Sequence, residues 1–268
     1  MPRIQYLINT LLMICITAPV SLALAADDVI IKHGNQHKMH FTEMDHRGLI
    51  SGMNRDIVDE LASRMGLQTD HQVCPFKRCT RMLFSGELDL MVFIAVTPER
   101  SEFIVPVQTW SNPVPIYFVT RKADSHKLQT YEDLYDFQIG SVNGYVYSPR
   151  FDRDSRLKRH QILVEGQLPK MLAAGRIDAF PSYGGLLANL NRDYPDIELA
   201  PLVLDQWDTA LIAISKNSPL ANRADEININ LIRMAQDGTL DRIWASYFPG
   251  QKMPMPDSLR QVGRNETP

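Results

Sequence analysis

A short phrase occurs twice in this chain and constrains its architecture more than any other feature. Met82-Leu83-Phe84-Ser85-Gly86-Glu87-Leu88-Asp89-Leu90 returns as Met171-Leu172-Ala173-Ala174-Gly175-Arg176-Ile177-Asp178-Ala179. Each copy has the form of a last helical turn, a Gly that takes the left-handed cap, and a buried strand opening at an Asp. Two such units predict two lobes of similar build, and the space between two lobes is where a small molecule sits.

The remainder of the chain supports that division. Of 268 residues, 44% are hydrophobic and 22% charged, the balance of a soluble globular protein. Only residues 4–25 need another explanation: they are almost wholly apolar, follow Arg3, and close on Ala23-Leu24-Ala25. This reads as a secretory signal peptide, residues 1–25, cut after Ala25. Asn9, Pro19 and the small-residue site argue against an uncleaved anchor, and Ile14 ahead of Cys15 argues against a lipid anchor. Arg3 is the only charge in that stretch, so the rest keeps a modest acidic excess over its basic residues. No basic field for nucleic acid or anionic lipid results.

Beyond the signal, Cys74 and Cys79 remain. In an exported chain a lone nearby pair reads as a disulfide rather than a zinc site, because two ligands do not close a zinc shell. Side chains five apart on a regular helix diverge, so the bridge requires Cys74 to lie in the loop ahead of the helix. His33, His37, His40 and His46 cluster near the amino end, but their spacing matches no metal motif, and no metal or cofactor is expected.

Along the chain, strand signals at 29–34, 88–96, 114–120, 137–142, 161–164, 177–180 and 209–214 alternate with helical ones. The helices are expected at 56–65, 74–84, 166–174, 184–192, 225–236 and 240–247, with a capping-box pattern at Thr130-Tyr131-Glu132-Asp133. This predicts an α/β chain with lobe 1 from 26–118 plus 206–248, lobe 2 from 119–205, and a Pro-rich, flexible tail at 249–268. The crossings fall near Tyr117 and Trp207. Strands of such sheets carry ligands beyond their carboxyl ends, so both sets of loops converge on one cleft.

With these residues in view, the chain resembles the bacterial extracellular solute-binding proteins of family 3, the type serving polar amino acid importers. The resemblance runs from about Val29 to Phe248. It rests on Gly52 before Asp56-Ile57-Val58, the Gly86 to Asp89 turn, Thr97-Pro98-Glu99-Arg100, Gly140 with Gly144, Gly175 to Asp178, and Asp237-Gly238 ahead of Ile243 and Tyr247-Phe248. It implies a two-lobed, periplasmic-binding-protein-like (type II) fold with two mixed sheets, flanking helices and a two-strand hinge.

The resemblance also implies roles. Arg100 would grip a ligand carboxylate, since a guanidinium fork offers two parallel charge-assisted hydrogen bonds. Phe76 would lie over the ligand, Lys77 beside it would add positive charge unless merely solvated, and Tyr145 would act from lobe 2. Trp110, Tyr183 and Asp208 complete the candidate set. Two departures bear on the ligand: Pro181, Ser182 and Tyr183 stand where family members place an acid for the ligand ammonium, and Phe93, Ile94 and Ala95 where small hydroxyl residues help hold the carboxylate. Asp208 is a candidate for the missing acid. Asp89 and Asp178, although repeated, are expected to bond turn backbone.

The expected activity is therefore capture of a small polar or carboxylate-bearing molecule by a periplasmic, monomeric protein. Its partner would be the membrane permease of an ABC importer or a signalling receptor. The alternative is an exported enzyme of the cyclohexadienyl dehydratase type, to which the family is similar in fold, with Glu165 and Asp208 as candidate acids.

Overall fold

Ile30–Asn35 forms the first strand, β1, with Ile31, His33 and Asn35 buried along one face. The computed structural model that places it describes residues 29–36, 38, 41–110, 115–183, 193–205, 207–250, 253–255 and 259. The expected signal peptide and the helix expected at 184–192 lie outside the described residues. A hairpin of β2 (Glu43–Met44) and β3 (Ile50–Ser51) comes after β1. Then come α1 (Met53–Arg64), β4 (Gln68–Val73), α2 (Phe76–Ser85), β5 (Leu90–Ala95), α3 (Pro98–Ser101) and β6 (Ile104–Trp110).

These elements share a five-stranded mixed sheet in the order β4-β1-β5-β12-β6, where β12 is Thr209–Ser215. Strand β1 runs parallel to β4 and β5, and β12 runs antiparallel to β5 and β6. A second five-stranded sheet has the order β11-β7-β10-β8-β9. Its strands are β7 (Ile116–Arg121), β8 (Gln138–Val142), β9 (Lys158–Ile162), β10 (Ala179–Tyr183) and β11 (Ile197–Leu204), with α4 (Pro149–Arg153) and α5 (Leu168–Ala173) between them. The chain passes between the sheets twice, from β6 to β7 and from β11 to β12.

The amphipathic spacing in α1 has the consequence expected of it. Ile57, Val58, Leu61 and Ala62 are buried on one stripe and pack with Leu90, Val92, Ile212 and Ile214 of the first sheet. The helices α6 (Ala224–Gln236) and α7 (Thr239–Tyr247) close the same core with Leu231, Leu240 and Trp244. Burying each such aliphatic side chain contributes about 1.5–3 kcal/mol. Met253, inside the stretch expected to be a tail, is also part of this core. Strand β12 is buried at every position, which explains its unbroken apolar run.

The two copies of the repeated phrase build the same turn. Gly86 and Gly175 take φ of 86° and 67°, which a Cβ would oppose, and their amides donate to the carbonyls of Leu83 and Leu172. Asp89 Oδ2 then accepts the Lys32 amide at 2.8 Å, and Asp178 Oδ2 accepts the Gln138 amide at 2.9 Å. Each Asp thus stitches its own strand to the neighbouring one. Their second oxygens differ: Asp89 Oδ1 accepts the buried Ser218 hydroxyl, and Asp178 Oδ1 accepts Arg121 Nη2.

Three local expectations are corrected. Strand β9 lies at 158–162 rather than 161–164, because it is the edge strand and buries only Ile162, so apolarity does not mark it. Residues 165–167 form a tight 3-10 turn before α5, not its first turn. At Thr130 the amide does donate to Asp133 Oδ2 at 2.7 Å, yet the element it opens is a short 3-10 segment, Glu132–Asp136.

Candidate functional site

Arg100 is brought to the carboxyl end of β5 by a tight turn. Thr97 caps it by accepting the Arg100 amide on Oγ1 at 3.3 Å, and Pro98 presets the first helical position. The Val96 amide donates to the Asp208 carbonyl at 2.7 Å, which ties β5 to the second crossing. Arg100 is 8% exposed, and its guanidinium donates from Nη1 to the Ala95 carbonyl and from Nη2 to the Gly144 carbonyl, each at 3.0 Å. Gly144 belongs to the loop after β8, so the second bond joins the two lobes.

Phe76 opens α2 and lies beneath that guanidinium, 5.3 Å from its ring centroid to Arg100 Cζ. Its ring and that of Tyr145 from the opposite lobe meet edge to face, with centroids 4.6 Å apart. Cys74 lies in the loop ahead of α2 and is bridged to Cys79, with Cα atoms 5.6 Å apart. The Cys74 amide donates to the Asn35 carbonyl at 2.8 Å, so the bridged segment is fastened to the end of β1.

A second cross-lobe contact lies beside the first. Lys38 Nζ and Glu165 Oε2 are 3.3 Å apart, with side chains only 16% and 15% exposed. Tyr145 Oη reaches the same carboxylate oxygen at 3.5 Å. A third tie holds the second crossing to lobe 2, where Trp207 Nε1 donates to Asp152 Oδ2 at 2.8 Å. Burial pushes the Asp152 carboxyl up, and the bonds from Trp207 and the Tyr147 amide only partly offset it.

Behind the site, His33 Nδ1 lies 2.9 Å from His71 Nδ1 and 3.1 Å from Asn35 Nδ2, and His71 Nε2 lies 2.8 Å from Asp59 Oδ1. Burial, and then the neighbouring His71, lower the His33 pKa well below 6.5. Among the described residues no three His, Cys, Asp or Glu side chains converge to hold a metal ion.

The structure therefore brings Arg100, Phe76 and Tyr145 together. Lys77 joins them through its backbone, packed against Gly144, while its side chain is exposed. Asp208 is exposed and takes part through its carbonyl. Trp110 and Tyr183 end β6 and β10, and their side chains lie outside the described residues; Pro181 and Ser182 are buried within β10. The Gly144 carbonyl, Lys38 and Asp152 were not among the expected site residues. A carbonyl carries no sequence signature, and Lys38 and Glu165 meet only because the lobes do.

The fold and the sequence match known proteins. Residues 31–250 match the family described as bacterial extracellular solute-binding proteins, family 3. No curated protein matches the chain. Among solved structures, a mutant of the arginine-binding protein ArgBP from T. maritima superposes with a TM-score of 0.72 at 20% identity, covering 82% of this chain and 95% of its own. An ancestral arginine-binding protein bound to arginine gives 0.70 at 20%, covering 82% and 98%. A Salmonella typhimurium periplasmic binding protein, described as having high arginine specificity, gives 0.69 at 17%, covering 82% and 100%. At these identities the likeness establishes the fold, a two-lobed type II periplasmic-binding-protein fold. No described helix is long and apolar enough to cross a membrane. By the match over most of its length, the chain belongs to family 3 of the bacterial extracellular solute-binding proteins.

Proposed function

We propose that this protein is exported to the periplasm, captures a small carboxylate-bearing solute between its lobes, and presents it to the permease of an ABC importer. The observation that carries this reading is Arg100, whose guanidinium lies at the carboxyl end of β5 between Phe76 and the Gly144 carbonyl. A carboxylate entering from the cleft would give this charged guanidinium an acceptor of opposite charge, adding ion pairing to a hydrogen bond that is already charge-assisted. Contacts made by both lobes then favour the closed state.

The same residues argue for a solute without an α-ammonium group. The cleft margin carries Arg100, Lys38 and Lys77, whereas Glu165 is paired with Lys38, and Asp152 accepts from Trp207 and the Tyr147 amide. Pro181 and Ser182 supply no charge. An arginine ligand, as the names of the structural neighbours suggest, would bring two cations to a margin where the described acids Glu165 and Asp152 are engaged. Calorimetry with succinate, benzoate and L-arginine tests this: heat is expected with a carboxylate lacking an amino group and not with L-arginine. Binding of L-arginine alone would refute it.

A further inference from the structure

The bridge between Cys74 and Cys79 encloses Pro75, Phe76, Lys77 and Arg78, and the middle two of these touch the second lobe. Phe76 meets Tyr145 edge to face, and Arg100 lies over the same ring while bonding Gly144. Gly144 has a φ of 88°, and a Cβ built there would lie 3.0 Å from Lys77 Cβ and 3.1 Å from Lys77 Cα. The two backbones therefore approach as closely as a glycine permits. On its other side the bridged segment is pinned to β1 through the Cys74 amide and the Asn35 carbonyl.

We infer that the Cys74–Cys79 disulfide is a positioning element of the cleft: it holds Phe76 and the Lys77 backbone as a preset jaw against Gly144 and Tyr145. The bearing on solute capture rests on the cleft reading above, whereas the jaw itself rests on these contacts alone. A general staple is the poorer account. A disulfide stabilises more the longer the loop it closes, and this loop is very short. Residues Phe76 and Cys79 also lie in a separate apolar cluster from the main core of α1, α6 and α7. Local order is what such a bridge supplies. Ordering the jaw in advance lowers the conformational entropy lost on closure.

Hydrogen exchange on the full mature chain tests this, comparing the oxidised protein with the same protein reduced by a phosphine and with Cys74→Ala/Cys79→Ala. The amides of 144–147 in lobe 2 should exchange about tenfold faster once the bridge is absent, although no covalent change touches them. Acceleration confined to 74–85 would mark a local staple and overturn the inference. Should the unbridged forms unfold, Gly144→Ala in the oxidised protein gives the reciprocal measurement. Exchange at 76–79 should stay slow in that variant, because the bridge holds the jaw without the lobe-2 contact, and acceleration at 76–79 overturns the inference. Intact coupling in a protein that binds no carboxylate would instead count against the solute reading and leave the jaw standing.

Discussion

Arg100 Nη2 donates to the Gly144 carbonyl across the cleft at 3.0 Å, so one side chain joins the turn after β5 to the loop after β8. The same nitrogen is the one a solute carboxylate would engage on entering from the cleft. In the proposed function one guanidinium would thus serve both a closure contact and the capture of the solute.

Replacing that guanidinium should affect both. Hydrogen bonds to charged groups contribute about 1.5–3 kcal/mol, so Arg100→Ala should weaken carboxylate binding by roughly ten- to a hundredfold. Arg100→Lys should not restore it, because an ammonium cannot span the Ala95 carbonyl and a second acceptor with a planar fork. Calorimetry on both variants checks this, and full rescue by Lys would show that charge alone suffices.

The Lys38–Glu165 pair should set how far the lobes stay closed. Its side chains are mostly but not wholly buried, which places removal of one partner at about 1–2 kcal/mol, between surface and interior pairs. Lys38→Met and Glu165→Gln should each raise the radius of gyration in small-angle scattering. Added salt should do the same to the wild type and less to the variants.

The repeated aspartates should be unequal in stability. Asp89 is buried and accepts the Lys32 amide and the Ser218 hydroxyl, so Asp89→Ala leaves two donors without a partner and should cost about 2–4 kcal/mol. Asp178 is more open and its partner Arg121 also holds Asp124, so Asp178→Ala should cost about 1 kcal/mol. Urea unfolding of the two variants compares them directly.

His33 should make stability fall as the medium becomes acidic. Its folded pKa lies well below 6.5, so between those values the unfolded chain binds a proton that the native one does not. The contribution is complete above about pH 6.5 and is lost as pH falls towards the folded pKa, at up to about 1.4 kcal/mol per pH unit. His33→Leu should flatten the urea midpoint between pH 7.5 and 5 relative to the wild type. Asp59 does not titrate in this window: burial raises its pKa, but the Thr69, His71 and Arg55 donors hold it below its ordinary value of 3.8.

How much of the molecule is legible in its residues depends on the range of the forces involved. The α1 stripe, the Gly86 and Gly175 caps and the strand-opening aspartates are set by neighbours in sequence, and the structure has them. Cys74 and Cys79 were legible too, because the bridge needs only a loop residue ahead of α2. Strand β9 was misplaced because an edge strand buries little, and its register comes from pairing with β8. In the site, Arg100 and Phe76 carry side-chain chemistry that a pattern can flag. The Gly144 carbonyl is backbone, and Lys38 meets Glu165 only after two separate lobes have folded and docked.

Titration calorimetry of the oxidised protein with succinate and benzoate, beside Arg100→Ala, decides whether Arg100 captures a carboxylate between the lobes. Saturable binding of at least one acid by the wild type is expected, with at least tenfold weaker binding by the variant and unchanged far-ultraviolet circular dichroism. Equal affinity in the two proteins would contradict that capture.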